Sequence, residues 1–205
     1  MKWSDITLKN YQDLTFFLSN REQMTDLDRN LEIYRILTGE DISNLELDRI
    51  KDKLDELAFL NKTYEARVPD TEYVIDGKKY TVQLNLNKMT AGQYIDFQNL
   101  YKDYSKNLKY LVMCFLIPKG KKYAEDYDVM ELGDYLYDKI PITIVSDVMF
   151  FFAKQLEVLT KITLTSSIKM LKKQIKKEKD PEKKQALQKV LDSLQNEASS
   201  YESIR

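Results

Sequence analysis

The sequence of 205 residues has no histidine and a single cysteine. Because histidine is absent, the chain lacks the commonest general base, the serine–histidine and cysteine–histidine nucleophiles, and every histidine-based metal site. The lone Cys114 cannot form an intramolecular disulfide or a thiolate metal site within one chain. The five glycines are scattered, so there is no glycine-rich phosphate loop. We therefore expect a protein that is not an enzyme and that needs no cofactor and no metal.

Carboxylates are the one catalytic chemistry that these absences leave open. The most acid-rich segment contains Glu125, Asp126, Asp128, Glu131, Asp134 and Asp138. It begins like a calcium loop, but Glu131 stands where the loop needs glycine and Tyr137 where it needs glutamate. We interpret the segment as a capped helix start, where the helix dipole favours acids. An enzyme with magnesium bound by these carboxylates is the alternative.

The charges of the chain are balanced, with 32 Lys and Arg against 33 Asp and Glu. This balance disfavours a dedicated nucleic-acid binder, which would carry a basic excess. The lysine-rich segment 169–184 is predicted to be a solvated helical face, with an acidic protein or nucleic acid as alternative partners. Apolar stretches near ten residues are too short for a membrane span, so we expect no membrane partner. The single cysteine indicates a reducing compartment.

Few helix breakers in a long chain predict long helices and short connections. The apolar spacing predicts three short helices in residues 1–62, a β-hairpin at about 71–85 around Asp76-Gly77, and further helices up to a long one ending near Glu178. The predicted fold is mainly α, a multi-helix globular domain with one β-hairpin and a C-terminal helical hairpin. We expect a domain over 1–168, made of 1–62 and 71–168, and a basic helical extension over 169–205.

Two helical segments are candidates for binding a protein partner. The first follows Thr90-Ala91-Gly92-Gln93, a capping-box pattern, and carries several tyrosines, which are frequent at interfaces. The second, around Val148–Phe152, is apolar on all sides, which fits either a core position or one face on a partner. The predicted partner-binding residues are Tyr94, Phe97, Tyr101, Tyr104, Phe150, Phe151 and Phe152.

Four segments share features with one protein family. They are Ile36-Leu37-Thr38-Gly39 with the following Ile42 and Leu45, Tyr73 to Tyr80 around Asp76-Gly77-Lys78-Lys79, Lys88-Met89-Thr90-Ala91-Gly92-Gln93-Tyr94-Ile95-Asp96-Phe97, and Phe115-Leu116-Ile117-Pro118-Lys119-Gly120. In these segments, within about residues 30–165, the chain resembles small bacteriophage proteins encoded among virion-morphogenesis genes. The most similar functional class is the tail assembly chaperone of long-tailed phages. The Thr90–Asp96 block is the most distinctive part, and it is a structural signature.

The resemblance implies a protein that works in the host cytoplasm and is absent from the finished particle. Such a chaperone binds the long, helical, aggregation-prone tape measure protein until tail tube subunits replace it. The alternative is a structural component of the virion, such as a neck, connector or internal protein. Either function implies a protein partner, and a homo-oligomer along the client is a further expectation. The basic C-terminal segment lies outside the resemblance.

Overall fold

The computed structural model describes residues 1–20 and 24–202. This part of the chain contains eight α-helices and one antiparallel sheet of three strands, which confirms the predicted mainly α fold. The helices are α1 (Leu8–Asn20), α2 (Asp26–Thr38), α3 (Leu47–Asp55), α4 (Ala91–Tyr101), α5 (Tyr104–Met113), α6 (Val129–Leu136), α7 (Ile142–Lys177) and α8 (Pro181–Glu202). The strands are β1 (Glu72–Ile75), β2 (Lys78–Val82) and β3 (Leu116–Pro118).

Helix α2 begins and ends at residues whose side chain or backbone suits a helix terminus. The hydroxyl of Thr25 accepts the backbone N–H of Asp28 at 3.1 Å and caps α2. Gly39 ends α2 with φ +77°, a left-handed conformation that glycine adopts without a steric cost. After α3 the chain tightens into a 3-10 helix over Glu56–Asn61, whereas the sequence predicted one continuous helix to Asn61.

The sheet is built on the predicted hairpin and on a third strand that the sequence did not predict. Asp76 and Gly77 both have positive φ, 49° and 71°, as a two-residue primed turn requires. The turn sets the register in which Ile75 pairs with Lys78, and β3 then pairs with the other edge of β2. The sequence predicted helix as far as Leu116. In the structure the helix stops at Met113, and Leu116 opens β3.

The core lies around α5 and the start of α7. Leu111, Val112 and Met113 are fully buried at the end of α5, and Val148 is fully buried on α7. Each buried aliphatic side chain of this kind contributes about 1.5–3 kcal/mol relative to exposure. The start of α7 is tied to the N-terminal segment, because the backbone N–H of Ile142 donates to the carbonyl of Ile6 at 2.8 Å.

The chain forms two compact units, Met1–Phe151 and Phe152–Arg205. The first contains α1 to α6, the sheet and the start of α7. The second contains the rest of α7 and α8. The predicted boundary near residue 168 stays a prediction. None of the helices in the described ranges is long and apolar enough to cross a membrane.

Candidate protein-binding site

A groove of about 960 Å³ lies between α1 and α2 in the first unit. It opens between two packed helices, so its two walls are helix faces. The α1–α2 groove is lined by Lys9, Asn10, Asp13, Phe16, Phe17, Asn20, Met24, Glu32, Arg35, Ile36, Thr38 and Gly39.

Apolar side chains within the groove are accessible to a partner. Phe16 is 71% exposed and Met24 is 45% exposed, while Phe17 and Ile36 are half-buried. Phe16 is therefore an aromatic side chain that has little protein contact of its own. Aromatic residues, Phe among them, are enriched in the buried centres of protein interfaces.

The rim of the groove carries charges that are already paired. Lys9 and Asp13 lie 2.8 Å apart, and the guanidinium of Arg35 donates to both carboxylate oxygens of Glu32, at 2.5 and 2.8 Å. The hydrogen bond to Asp13 raises the pKa of Lys9, and the hydrogen bond from Arg35 lowers the pKa of Glu32. A groove lined by exposed apolar side chains and by paired charges matches the apolar stripe and the polar flanks of an amphipathic helix.

Sequence reasoning did not identify the groove, although α1 contains a signal for it. Phe16, Phe17 and Leu18 are three consecutive apolar residues, and one helix cannot turn all three toward the same core. The apolar spacing of residues 8–18 predicts that Phe17 and Leu18 lie on the same inward side as Leu14. In the structure Phe17 is half-buried, and Phe16 and Leu18 are exposed.

The tyrosines predicted on α4 and α5 lie in a second surface, the aromatic band. Its exposed members Tyr101 and Tyr104 have ring centroids 6.0 Å apart. Burial raises the pKa of Tyr104, and the nearby phenols of Tyr101 and Tyr11 raise it further. Beyond Tyr11 the band continues to Trp3, at 6.4 Å between ring centroids. The aromatic band thus joins residues from the N-terminal segment, α1, α4 and α5.

The predicted partner-binding residues on α4 divide into exposed and buried side chains. Tyr94 and Tyr101, seven residues apart on one helix face, are both exposed. Phe97 is 2% exposed and packs its ring against Phe115 at 5.3 Å, so it belongs to the core beneath the band. Its side chain supports the exposed tyrosines and is not accessible to a partner in this conformation.

The apolar segment Val148–Phe152 divides in the same way. Val148, Met149 and Phe152 are buried, which fits the core interpretation of the segment. Phe150 is exposed and Phe151 is half-buried. The structure does not bring these residues into the α1–α2 groove, whose lining comes from the first two helices.

A buried carboxylate on α7 holds the segment that precedes the hairpin. Asp147 accepts the hydroxyl of Tyr64 at 2.9 and 3.0 Å and the backbone N–H of Arg67 at 2.9 Å. Burial and the hydrogen bond to Asp147 raise the pKa of Tyr64 to about 12. Both oxygens of this carboxylate accept hydrogen bonds from residues of the fold, so we assign Asp147 a structural role.

A second group of buried polar atoms surrounds Cys114. Its sulfur lies 3.6 Å from the hydroxyl of Tyr123, which donates to Asp96 at 3.1 Å. Burial raises the pKa of the Cys114 thiol to about 11, so the thiol is protonated and a poor nucleophile at neutral pH. A cavity of about 330 Å³ lies beside this group, between α4 and the start of α6.

The acidic segment 125–138 forms helix caps and ion pairs. Asp128 accepts the backbone N–H groups of Met130 and Glu131 at 2.7 and 2.9 Å, which is the predicted cap of α6. Asp134 pairs with Lys109 at 2.6 Å. Within the described part of the chain, no three acidic or cysteine side chains are placed to hold a metal ion together.

Comparison of the chain with protein-family models, with curated proteins and with solved structures found no match.

Proposed function

We propose that this protein is a non-enzymatic binding protein that holds a helical client during phage assembly, as a tail assembly chaperone does. The observation that carries the proposal is the α1–α2 groove, whose lining includes the exposed ring of Phe16 and two ion pairs. A tape-measure-like protein is a client of matching chemistry, because its long amphipathic helices expose apolar stripes before they are assembled.

Burial of the apolar side chains of the groove against a client is favourable, because in the free protein they are exposed to water. An exposed Phe ring that becomes buried contributes about 1.5–3 kcal/mol, and each tenfold gain in affinity requires about 1.4 kcal/mol. The paired rim charges contribute little to affinity, since exposed ion pairs are worth about 0–1 kcal/mol. We therefore assign the affinity to the apolar side chains that line the groove, and the orientation of the client to the paired charges.

The test is the substitution Phe16→Asp, measured with the tape-measure-like protein encoded in the same genome. Co-expression and affinity purification give the amount of client kept in solution and its dissociation constant. A charged side chain at this position prevents the apolar stripe of a partner from being buried in the groove. We therefore expect binding to be at least about 30-fold weaker, which is the effect of removing a typical hot-spot residue. Because Phe16 has little contact within the chain, the fold should be unchanged.

The matched control is Val68→Asp, since Val68 is also 71% exposed but lies outside the groove. We expect Val68→Asp to bind the client like the wild type. Equal binding by Phe16→Asp and Val68→Asp would overturn the assignment of the groove. Mass spectrometry of purified particles separates the two phage functions, because a chaperone leaves the particle and a neck, connector or internal protein stays in it.

A further inference from the structure

The two units of the chain have opposite net charges, although the whole chain is nearly neutral. Residues 1–151 contain 20 Lys and Arg and 26 Asp and Glu, a net charge of −6. Residues 152–205 contain 12 Lys and Arg and 7 Asp and Glu, a net charge of +5. Such an asymmetry favours association between the first unit of one molecule and the second unit of another.

The positive charge of the second unit is concentrated on one face of α7. Lys169, Lys173 and Lys176 follow the i, i+4, i+7 spacing of a helix face, and Lys172 lies beside them. We call these four residues the lysine stripe. All four are exposed, and within the described residues none of them forms an ion pair.

Exposed apolar side chains continue the same face of α7 toward its N-terminus. Val158 and Ile162 are exposed and share this face with Lys169 and Lys176. Leu164 lies on the other side of the helix and is buried. A face with exposed apolar and cationic residues fits an acidic protein surface. Nucleic acid is a poorer match for this face, because it has no apolar side chains that could cover Val158 and Ile162. The described part of this unit also has no arginine for bidentate contacts with phosphate.

The first unit has an acidic surface with the same spacing on α3. Asp48, Asp52 and Asp55 repeat the i, i+4, i+7 spacing, and all three are exposed. We call them the aspartate stripe. No ion pair to any of the three is formed within the ranges that the structure describes, although Lys51 lies among them. Leu47, which precedes Asp48, is an exposed apolar residue at 75%.

We propose that the lysine stripe of one molecule docks on the aspartate stripe of a second copy. Both stripes have the same spacing on an α-helix, about 10 Å from the first to the third charge, so three pairs form when the helices lie side by side. The two surfaces differ, and a single contact of this kind is heterologous. It leaves the aspartate stripe of the first molecule and the lysine stripe of the second molecule unused. Association therefore continues beyond a dimer and is weak and sensitive to salt.

Sedimentation velocity of the full-length protein, free of nucleic acid and without any client, tests this proposal. We expect the average mass to rise with protein concentration in about 0.05 M salt and to fall to that of the monomer in about 1 M salt, where the Debye length is about 3 Å. Lys169→Glu, Lys173→Glu and Lys176→Glu together should abolish association, and so should Asp48→Lys, Asp52→Lys and Asp55→Lys together.

The decisive variant combines both reversals, because exchanging the signs of the two stripes restores their attraction. We expect it to associate like the wild type. The matched control is Lys183→Glu, Lys184→Glu and Lys189→Glu on α8, which changes the net charge equally and should leave association intact. Circular dichroism and urea unfolding confirm that each variant is folded.

Three results would overturn the proposal: a wild type that is monomeric at all concentrations, equal loss of association in the α8 control, or a combined variant that stays monomeric. The assay contains no client, so its outcome is independent of the proposed chaperone function. A client that binds normally to a monomeric protein would leave that function standing and this interface refuted.

Discussion

At the scale of single residues, Asp147 shows how a charge inside an apolar helix is accommodated. Its side chain is almost fully buried, and it accepts hydrogen bonds from Tyr64 and Arg67, about 80 residues away in the sequence. Burying a charge is costly unless it is hydrogen-bonded, and here the two donors offset the loss of water. The carboxylate thereby fixes the chain that leads into β1.

Replacing Asp147 with alanine should destabilise the protein by roughly 2–4 kcal/mol. The hydrogen bonds from the Tyr64 hydroxyl and the Arg67 backbone N–H to a charged acceptor are lost, and both donors are left without an acceptor. Urea unfolding followed by circular dichroism measures the change. Asp134→Ala is the comparison, since Asp134 is exposed and water screens its ion pair with Lys109, so we expect a much smaller loss of stability. Equal effects of the two substitutions would contradict the structural role of Asp147.

The sequence could not predict this role. In the sequence, Asp147 is a charge that interrupts the apolar segment 142–170 and so indicates a helix that is not membrane-spanning. The burial of Asp147 depends on hydrogen bonds from Tyr64 and Arg67, and tertiary packing brings these two residues to its carboxylate. Periodicity within one helix carries no information about it.

At the scale of elements, two helical glycines have opposite surroundings. A Cβ added at Gly133 on α6 would lie 2.6 Å from the ring of Tyr110 and 3.2 Å from the carbonyl of Lys109, where α6 packs on α5. A Cβ added at Gly92 on α4 would meet nothing closer than 4.0 Å. Substitution by alanine should therefore change the free energy of unfolding in opposite directions at the two positions.

Gly92→Ala should stabilise the protein by about 0.5–1 kcal/mol, because alanine restricts the unfolded chain and favours the helix. Gly133→Ala should destabilise it by about 1–3 kcal/mol, because the gain in helix propensity is outweighed by overpacking against Tyr110. The midpoints of thermal or urea unfolding check both values. Two shifts of the same sign would show that the contact between α5 and α6 is not as tight as described.

Local signals predicted several elements well. The hairpin turn at Asp76-Gly77, the capping box at Thr90 and Gln93, and the C-cap at Gly39 each depend on residues within four positions of one another. The third strand was missed because β3 has three residues and follows a buried helix end without a turn signal. Its pairing with β2 is non-local. The α1–α2 groove was missed for the same reason, since a single helix does not show which neighbour covers it.

At the scale of the whole molecule, the two units have different amounts of buried apolar surface. The first unit contains most of the buried side chains that the structure describes. In the second unit, the buried apolar side chains among the described residues are Phe152, Leu164 and Leu191. Local stability follows buried apolar contact, so the second unit should open more easily.

Native-state hydrogen exchange tests this difference. Backbone amides of residues 165–195 should exchange at least about tenfold faster than those of α5, which corresponds to an opening free energy at least about 1.4 kcal/mol lower. Salt should be held near 1 M, so that association through the charged stripes does not add protection. Equal protection in both regions would show that the second unit is stabilised by more than its buried residues.

The strand order of the sheet has a consequence for the nascent chain. The hairpin closes locally through Asp76-Gly77, but β3 begins only at Leu116. At about 5–20 residues per second, translation delivers β3 roughly 2–7 s after β2. During that interval the edge of β2 with Tyr80 and Val82 is an open template for pairing with other chains. Lys78 and Lys79 are exposed at the start of this edge. We expect their charges to limit aggregation of the nascent chain until the third strand is synthesised.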